Sequence, residues 1–335
     1  MPLRVTSNWQ PRKRPWGPSN RLSAGIKLVA ATVALGAVYY AAHLERVPET
    51  GRLRYIDVSP AFVKRLAEEA RHDTVHGLEG RLLPPEHALT LHIHRVVQRI
   101  LEANSLGTIV VAPVSQRPSL APKRAANEDS PPDTEWHLFV VNDKKVVNAR
   151  ASYGNIVVFT GILPIAKNEE GLAAIVSHEI GHTVARHHQE QVSSVKILLA
   201  LSTLSTRVLG SDLGMSDYIA SILCSPHSQV RELEADAIGL KLLSKACYDP
   251  QSALESILVN MYCNADGNLT SVMERMHKHE ETRQRRSTHR FSSSHPPSHN
   301  RMMHLNGLLP EAYAVRSATH ACTEVPENSA SNDRA

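Results

Sequence analysis

Apolar positions divide this chain before any chemistry does. Residues 22–42 are almost continuously apolar, broken only by Lys27, and a helix of that length just spans a bilayer. Tyr39 and Tyr40 stand where an interfacial aromatic pair would sit. The pattern then turns polar: residues 47–55 read as an extended linker, and Ser59-Pro60 as an N-cap followed by proline at the first helical position. Two helices follow. Phe62, Leu66 and Ala70 give the first an apolar side, and Leu89, Leu91, Ile93, Val96, Val97, Ile100 and Leu101 make the second a core helix. Residues 114–134, rich in Pro, Ser and charge, form a loop.

The rhythm next changes to that of strands. Residues 136–141, 146–149 and 156–160 are β-branched or aromatic runs separated by Asn142-Asp143 and Tyr153-Gly154-Asn155, which predicts an antiparallel meander. It leads into a helix in which Leu172, Ile175, Val176, Ile180 and Val184 recur at helical spacing. Beyond it, residues 197–204 are too short to span a membrane; a core helix is the default and a membrane-surface helix the sharper alternative. Residues 225–246 read as one long helix. A polar, His- and Arg-rich loop is expected over 264–294, a closing helix over 302–314 and a disordered tail over 315–335.

The helix after the strands carries His178-Glu179-Ile180-Gly181-His182. Four residues apart, the two imidazoles share a helix face and can reach one metal ion, and Glu179 beside them is the expected base for a water. Two ordinary helix histidines are the competing reading. A catalytic zinc takes three protein ligands and leaves the fourth position to water, so a third ligand is required. The helix over 225–246 offers Glu232, Glu234 and Asp236; Glu232 and Asp236 share a face and Glu234 points elsewhere. A carboxylate from this helix would complete the site, and Asp236 could fix a ligand histidine's tautomer. A strand beside such a site can bind an extended peptide through backbone hydrogen bonds.

Charge removes one class of function and orients the N-terminus. Residues 1–44 hold six Lys or Arg and no Asp or Glu, leaving 31 basic against 33 acidic residues beyond. Nucleic-acid binding is therefore unsupported. Residues 1–21 read as a basic targeting segment and 22–44 as a single anchor in the lipid bilayer, with the bulk of the chain on the far side by the positive-inside rule. A cleaved signal peptide and a mitochondrial presequence are rival readings of this end. Cys224, Cys247, Cys263 and Cys322 lack any C-x-x-C pair; neither a zinc ribbon nor a dense disulfide framework is indicated, and inert thiols are the expectation.

Taken together, the chain resembles the HtpX-like and CAAX-protease-like gluzincin metallopeptidases, and among them the mitochondrial Oma-type inner-membrane branch. The carrying residues are His178-Glu179-Ile180-Gly181-His182 and Arg231-Glu232-Leu233-Glu234-Ala235-Asp236 followed by Ile238-Gly239-Leu240, supported by Asn148-Ala149, residues 157–163, His295-Pro296, Arg301 and residues 309–312. The resemblance implies an α+β, mostly helical zincin domain over 45–314 with a small antiparallel sheet beside the metal helix. It implies one Zn2+ per chain on His178, His182 and Glu232 rather than Glu234, with Asp236 behind them, and a role for His295 in holding the substrate or the developing oxyanion. Asn148, Ala149 and Arg150 would bind the substrate main chain, although Arg150 to Gly154 departs from the family's Pro-Gly-Gly-type turn. Expected substrates are inner-membrane or misfolded membrane proteins, processed from the intermembrane-space side of the mitochondrial inner membrane. A catalytically silent, metal-binding, membrane-tethered chaperone or scaffold is the alternative, and a homo-oligomer is compatible with the sequence.

Overall fold

In the computed structural model, which describes residues 20–111, 135–212, 214–224, 228–262 and 299–323, the first apolar run forms helix α1 (Asn20–Ala42). Its Ile26, Leu28, Val33, Leu35 and Val38 are 65–71% exposed. Among the described residues, no helix is long and apolar enough to cross a membrane. Helix α1 lies in one compact unit, Met1–Glu45, and the remaining chain forms a second, Arg46–Ala335.

The second unit begins at the last residue of strand β1 (Leu44–Arg46), and a short turn leads from there into β2 (Leu53–Tyr55). The Val47 N–H donates to the Arg52 carbonyl at 2.9 Å and the Gly51 N–H to the Val47 carbonyl at 2.8 Å. Helix α2 (Pro60–Gly77) starts where the sequence places it, with Ser59 Oγ accepting from the Phe62 N–H at 3.2 Å. Helix α3 (Ala88–Ala103) buries Ile93, Val96, Val97, Ile100 and Leu101 against the sheet and the metal helix, whereas Leu91 faces outward.

The sheet departs from the expected meander. Strands β3 (Thr108–Val111), β4 (Glu135–Val141), β5 (Ala149–Ser152) and β6 (Asn155–Phe159) run in the order β3-β4-β6-β5. Pairings β3–β4 and β4–β6 are parallel, and only β5–β6 is antiparallel, so the sheet is mixed rather than antiparallel. The hairpin at Tyr153 and Gly154, with φ values of 50° and 80°, is the one a meander would also have; the departure lies before it, where β4 takes β6 rather than β5 as its neighbour. Residues 142–148 therefore carry the chain past the position of β6, and β5 returns on its far side, at the sheet edge. Val146 to Asn148 lie in that connection, not in a strand.

After the short helix α4 (Leu163–Ala166), helix α5 (Glu169–Val184) is buried on every side from Gly171 to His182. Asn168 caps it by accepting from the Gly171 N–H at 2.9 Å, and Glu169 and Glu170 complement the positive end of the helix dipole. Leu172, Ile175, Val176 and Ile180 join α3 and the sheet in one apolar cluster; burying each such side chain contributes about 1.5–3 kcal/mol. Helix α6 (His187–Leu209) is longer than the apolar run that signalled it, and Leu199, Leu201 and Leu204 are 51%, 46% and 54% exposed. They are thus not core residues. Helix α7 (Met215–Cys224) ends before the stretch read as the start of one long helix; α8 (Gln229–Lys245) begins separately, capped by Ser228.

Helices α5 and α8 meet backbone to backbone through two glycines. A Cβ on Gly181 would lie 2.8 Å from the Ala235 carbonyl oxygen, and one on Gly239 would lie 2.9 Å from His178 Cα. Real side chains do not tolerate such distances, so Gly239→Ala must push α8 off α5. We expect a loss of roughly 1–3 kcal/mol in urea unfolding, as for overpacked cores, together with a weakened grip on added Zn2+. Wild-type stability in this variant would show that the helices do not meet as described.

Helices α9 (Gln251–Tyr262), α10 (His299–Ala318) and α11 (His320–Thr323) close the unit. The expected tail over 315–335 is in error for its first part: α10 continues to Ala318, and Cys322 of α11 is bonded to Cys247. The loop over 264–294 and residues 324–335 lie outside the described residues. The Cys247–Cys322 disulfide, with a sequence separation of 75, also overturns the expectation of inert thiols. Sequence could not pair them, since nothing local links cysteines that far apart. Breaking it with Cys322→Ser should cost about 2–4 kcal/mol, and the Cys247→Ser/Cys322→Ser double variant should cost no more than either single one. Additive losses would mean that the two sulfurs act separately.

Candidate metal centre

His178 and His182 project from the same buried face of α5, their Nε2 atoms 3.2 Å apart. Glu232, in the first turn of α8, completes a triangle: its Oε2 lies 3.4 Å from His178 Nε2 and its Oε1 3.3 Å from His182 Nε2. All three side chains are buried, and the three donor atoms lie within 4.8 Å of one another. Zinc bonds of about 2.0–2.1 Å set tetrahedral edges of roughly 3.3–3.4 Å; the two ring nitrogens stand near that spacing, and each carboxylate oxygen stands near it from one of the rings. Two imidazole nitrogens and a carboxylate with a fourth position left for water are also the donor chemistry of a catalytic zinc. The residues fit the ion.

The surroundings fix each donor. His178 Nδ1 lies 2.9 Å from Asp236 Oδ1, one turn beyond Glu232 on α8. Arg301, from the first turn of α10, grips Asp236 with two hydrogen bonds of 2.7 Å, Nε donating to Oδ2 and Nη2 to Oδ1. Its Nη1 lies 3.1 Å from Glu232 Oε2. One buried guanidinium therefore holds both carboxylates of α8. Burial pushes the Asp236 carboxyl up, but the charge and hydrogen bonds of Arg301, with His178, hold it below the usual carboxylate range. Burial also works against charge on His178; the hydrogen bonds to Asp236 and Glu232 outweigh it and raise the ring to about 10.

His182 is supported differently. Its Nδ1 lies 2.8 Å from Nδ1 of the fully buried His187, whose Nε2 lies 2.9 Å from Glu234 Oε2. Arg52, from the turn before β2, donates to Glu234 Oε2 from Nε at 3.1 Å and Nη2 at 2.8 Å, and Thr50 Oγ1 donates to Oε1. Arg52 also grips Glu190 at 2.9 and 2.6 Å. Burial raises the Glu234 carboxyl, yet hydrogen bonds from His187, Arg52 and Thr50 prevail and bring it to about 2. Burial holds His187 below its usual value despite Glu234.

The remaining expected residues are placed as follows. Glu179 is buried beside His178 on α5. Ala149 opens β5 and is buried, Arg150 is exposed with Nη2 3.3 Å from Thr74 Oγ1, and the Asn148 carbonyl accepts from the Phe159 N–H at 3.1 Å. Among the described residues, the edge of β5 away from β6 pairs with no strand, and β5 packs beside α5. His295 lies outside the described residues. Sequence reasoning missed the grip of Arg301 and the whole His187-Glu234-Arg52 chain. The signal for His187 was hidden at Arg186, whose left-handed φ of 54° ends α5 and folds the start of α6 back onto it.

Comparison with known proteins gives a consistent picture. The model of peptidase family M48 matches residues 118–309. The mitochondrial metalloendopeptidase OMA1 of Schizosaccharomyces pombe is 32% identical over 293 residues, covering 87% of this chain and 74% of that protein. The Saccharomyces cerevisiae protein of the same name is 28% identical over 284 residues, covering 83% and 73%. The beta-barrel assembly-enhancing protease of Escherichia coli is 28% identical over 131 residues, covering 36% of this chain and 27% of its own.

Proposed function

The chain belongs to peptidase family M48 and is a metallopeptidase, and from that premise we propose that it is a zinc-dependent, membrane-anchored endopeptidase of the mitochondrial inner membrane. The observation that carries this reading is the triangle of His178 Nε2, His182 Nε2 and Glu232 carboxylate oxygens with edges of 3.2–3.4 Å.

Zinc, when bound there, supplies Lewis-acid chemistry that polarises a carbonyl and makes a water acidic. The chain's own residues do the rest. Glu179 takes the proton of the attacking water and delivers it to the leaving amine, the role of the carboxylate within His-Glu-x-x-His. Asp236 keeps the His178 proton on Nδ1 and so leaves Nε2 free to ligate. Arg301 offsets the charge of Asp236 and Glu232, which burial would otherwise drive toward protonation. The open edge of β5, which starts at Ala149 between Asn148 and Arg150, accepts the substrate main chain as an added strand, which makes cleavage tolerant of substrate sequence. His295, by resemblance alone, stabilises the oxyanion.

The exposed apolar side chains of α1 and the basic residues before it suit a single anchor with residues 1–21 on the matrix side. A disulfide between Cys247 and Cys322 suits an oxidising compartment, which supports the intermembrane-space side for the catalytic unit. The two fungal relatives are named as mitochondrial metalloendopeptidases, and the family resemblance alone points to inner-membrane or misfolded membrane proteins as substrates. The test is metal analysis and cleavage of an unfolded protein substrate by the full chain in detergent. One zinc per wild-type chain, lost together with cleavage in His178→Ala, His182→Ala and Glu232→Ala, is expected. Cleavage by the zinc-free variants at the wild-type rate would sink the assignment.

A further inference from the structure

We propose that His187 and Glu234 form a tautomer lock that holds His182 in its metal-ligating form, making them positioning residues for the metal centre. The inference rests on the assignment of His182 as a ligand through Nε2. An imidazole that ligates through Nε2 must carry its proton on Nδ1. At 2.8 Å, that Nδ1–H needs an acceptor on His187 Nδ1, and a ring that accepts there carries its own proton on Nε2. Only this tautomer suits Glu234, an ionised carboxylate that can only accept, 2.9 Å from His187 Nε2.

The reverse arrangement fails at both ends. A proton on His187 Nδ1 would have to be accepted by His182 Nδ1, which moves the His182 proton to Nε2, the atom facing Glu232 at 3.3 Å. It would also set a bare His187 Nε2 lone pair against the Glu234 carboxylate. Glu234 cannot relieve that clash by turning, because Arg52 and Thr50 occupy its two oxygens. The carboxylate therefore dictates the proton position on His187, and His187 dictates it on His182. Asp236 does for His178 in one step what this pair does for His182 in two.

Because Thr50 and Arg52 lie in the turn after β1, the lock also ties a ligand's orientation to the segment that follows α1 in the chain.

The experiment is competition of the full chain in detergent against a chelator for Zn2+, which reads metal affinity independently of turnover. His187→Leu removes the acceptor and should weaken zinc binding about 10- to 100-fold, the usual range for partners behind a ligand. His187→Asn can place its amide oxygen where Nδ1 stands and should recover most of that loss, which a purely space-filling role would not predict. Glu234→Gln keeps the shape and should cost about tenfold, so the idea remains testable if the Leu variant does not fold. Wild-type affinity in Glu234→Gln, or equal loss in the Asn and Leu variants, overturns the lock. His178→Ala separates the two levels. If it too binds zinc as tightly as wild type, the metal assignment has failed; if it alone abolishes binding, only the lock has.

Discussion

Glu179→Gln is expected to lower kcat by about 10²–10⁴ while leaving one zinc per chain in place and the unfolding midpoint within experimental error. The argument is one of chemistry rather than shape. Glutamine fills the same buried volume beside His178 but can neither take a proton from the attacking water nor deliver one to the leaving amine, so attack and departure both lose their assistance. None of the three donors at 3.2–3.4 Å is touched, and metal affinity should therefore survive. This variant also separates an enzyme from a silent metal-binding scaffold: a scaffold would keep its cellular effect without Glu179, and no cleavage would be seen in either form. Undiminished kcat in Glu179→Gln would remove this residue from the proton-transfer role.

What the sequence made legible was local. His178 and His182 share a face because four residues make about one turn, and Glu232 and Asp236 share a face of α8 for the same reason. The Ser59-Pro60 start of α2 and the buried stripe of α3 are likewise written in neighbouring residues. What was hidden depends on contacts between distant positions. The sheet order turns on whether β4 takes β5 or β6 as its neighbour, and nothing local to residues 142–148 decides that. The Cys247–Cys322 bond joins helices far apart in the chain. Leu199, Leu201 and Leu204 read as core because a short apolar run carries no information about which side of it will be covered. Arg301 drew notice only through resemblance; that it reaches both Asp236 and Glu232 follows from where α10 packs on α8.

That placement makes Arg301→Leu the substitution with the largest expected effect on stability. Arg301 is 3% exposed and is the guanidinium between two carboxylates that are 4% and 1% exposed. Removing one partner of a buried ionic cluster typically costs about 3–5 kcal/mol, since the charges left behind keep their desolvation penalty without its compensation. Here two carboxylates are left behind, which places the expected loss at the upper end of that range in chelator-treated protein. Added Zn2+ should recover part of it, because the ion brings positive charge to Glu232 and, through His178, to Asp236. Arg301→Lys should restore less than its charge suggests, as a single ammonium cannot reproduce the paired 2.7 Å bonds to Asp236 while also reaching Glu232. Urea unfolding of the full chain in detergent, with chelator and with saturating zinc, checks all three. A Leu variant within 0.5 kcal/mol (about the noise of a surface substitution) of wild type under chelator would mean that α10 does not clamp the carboxylates of α8 in solution.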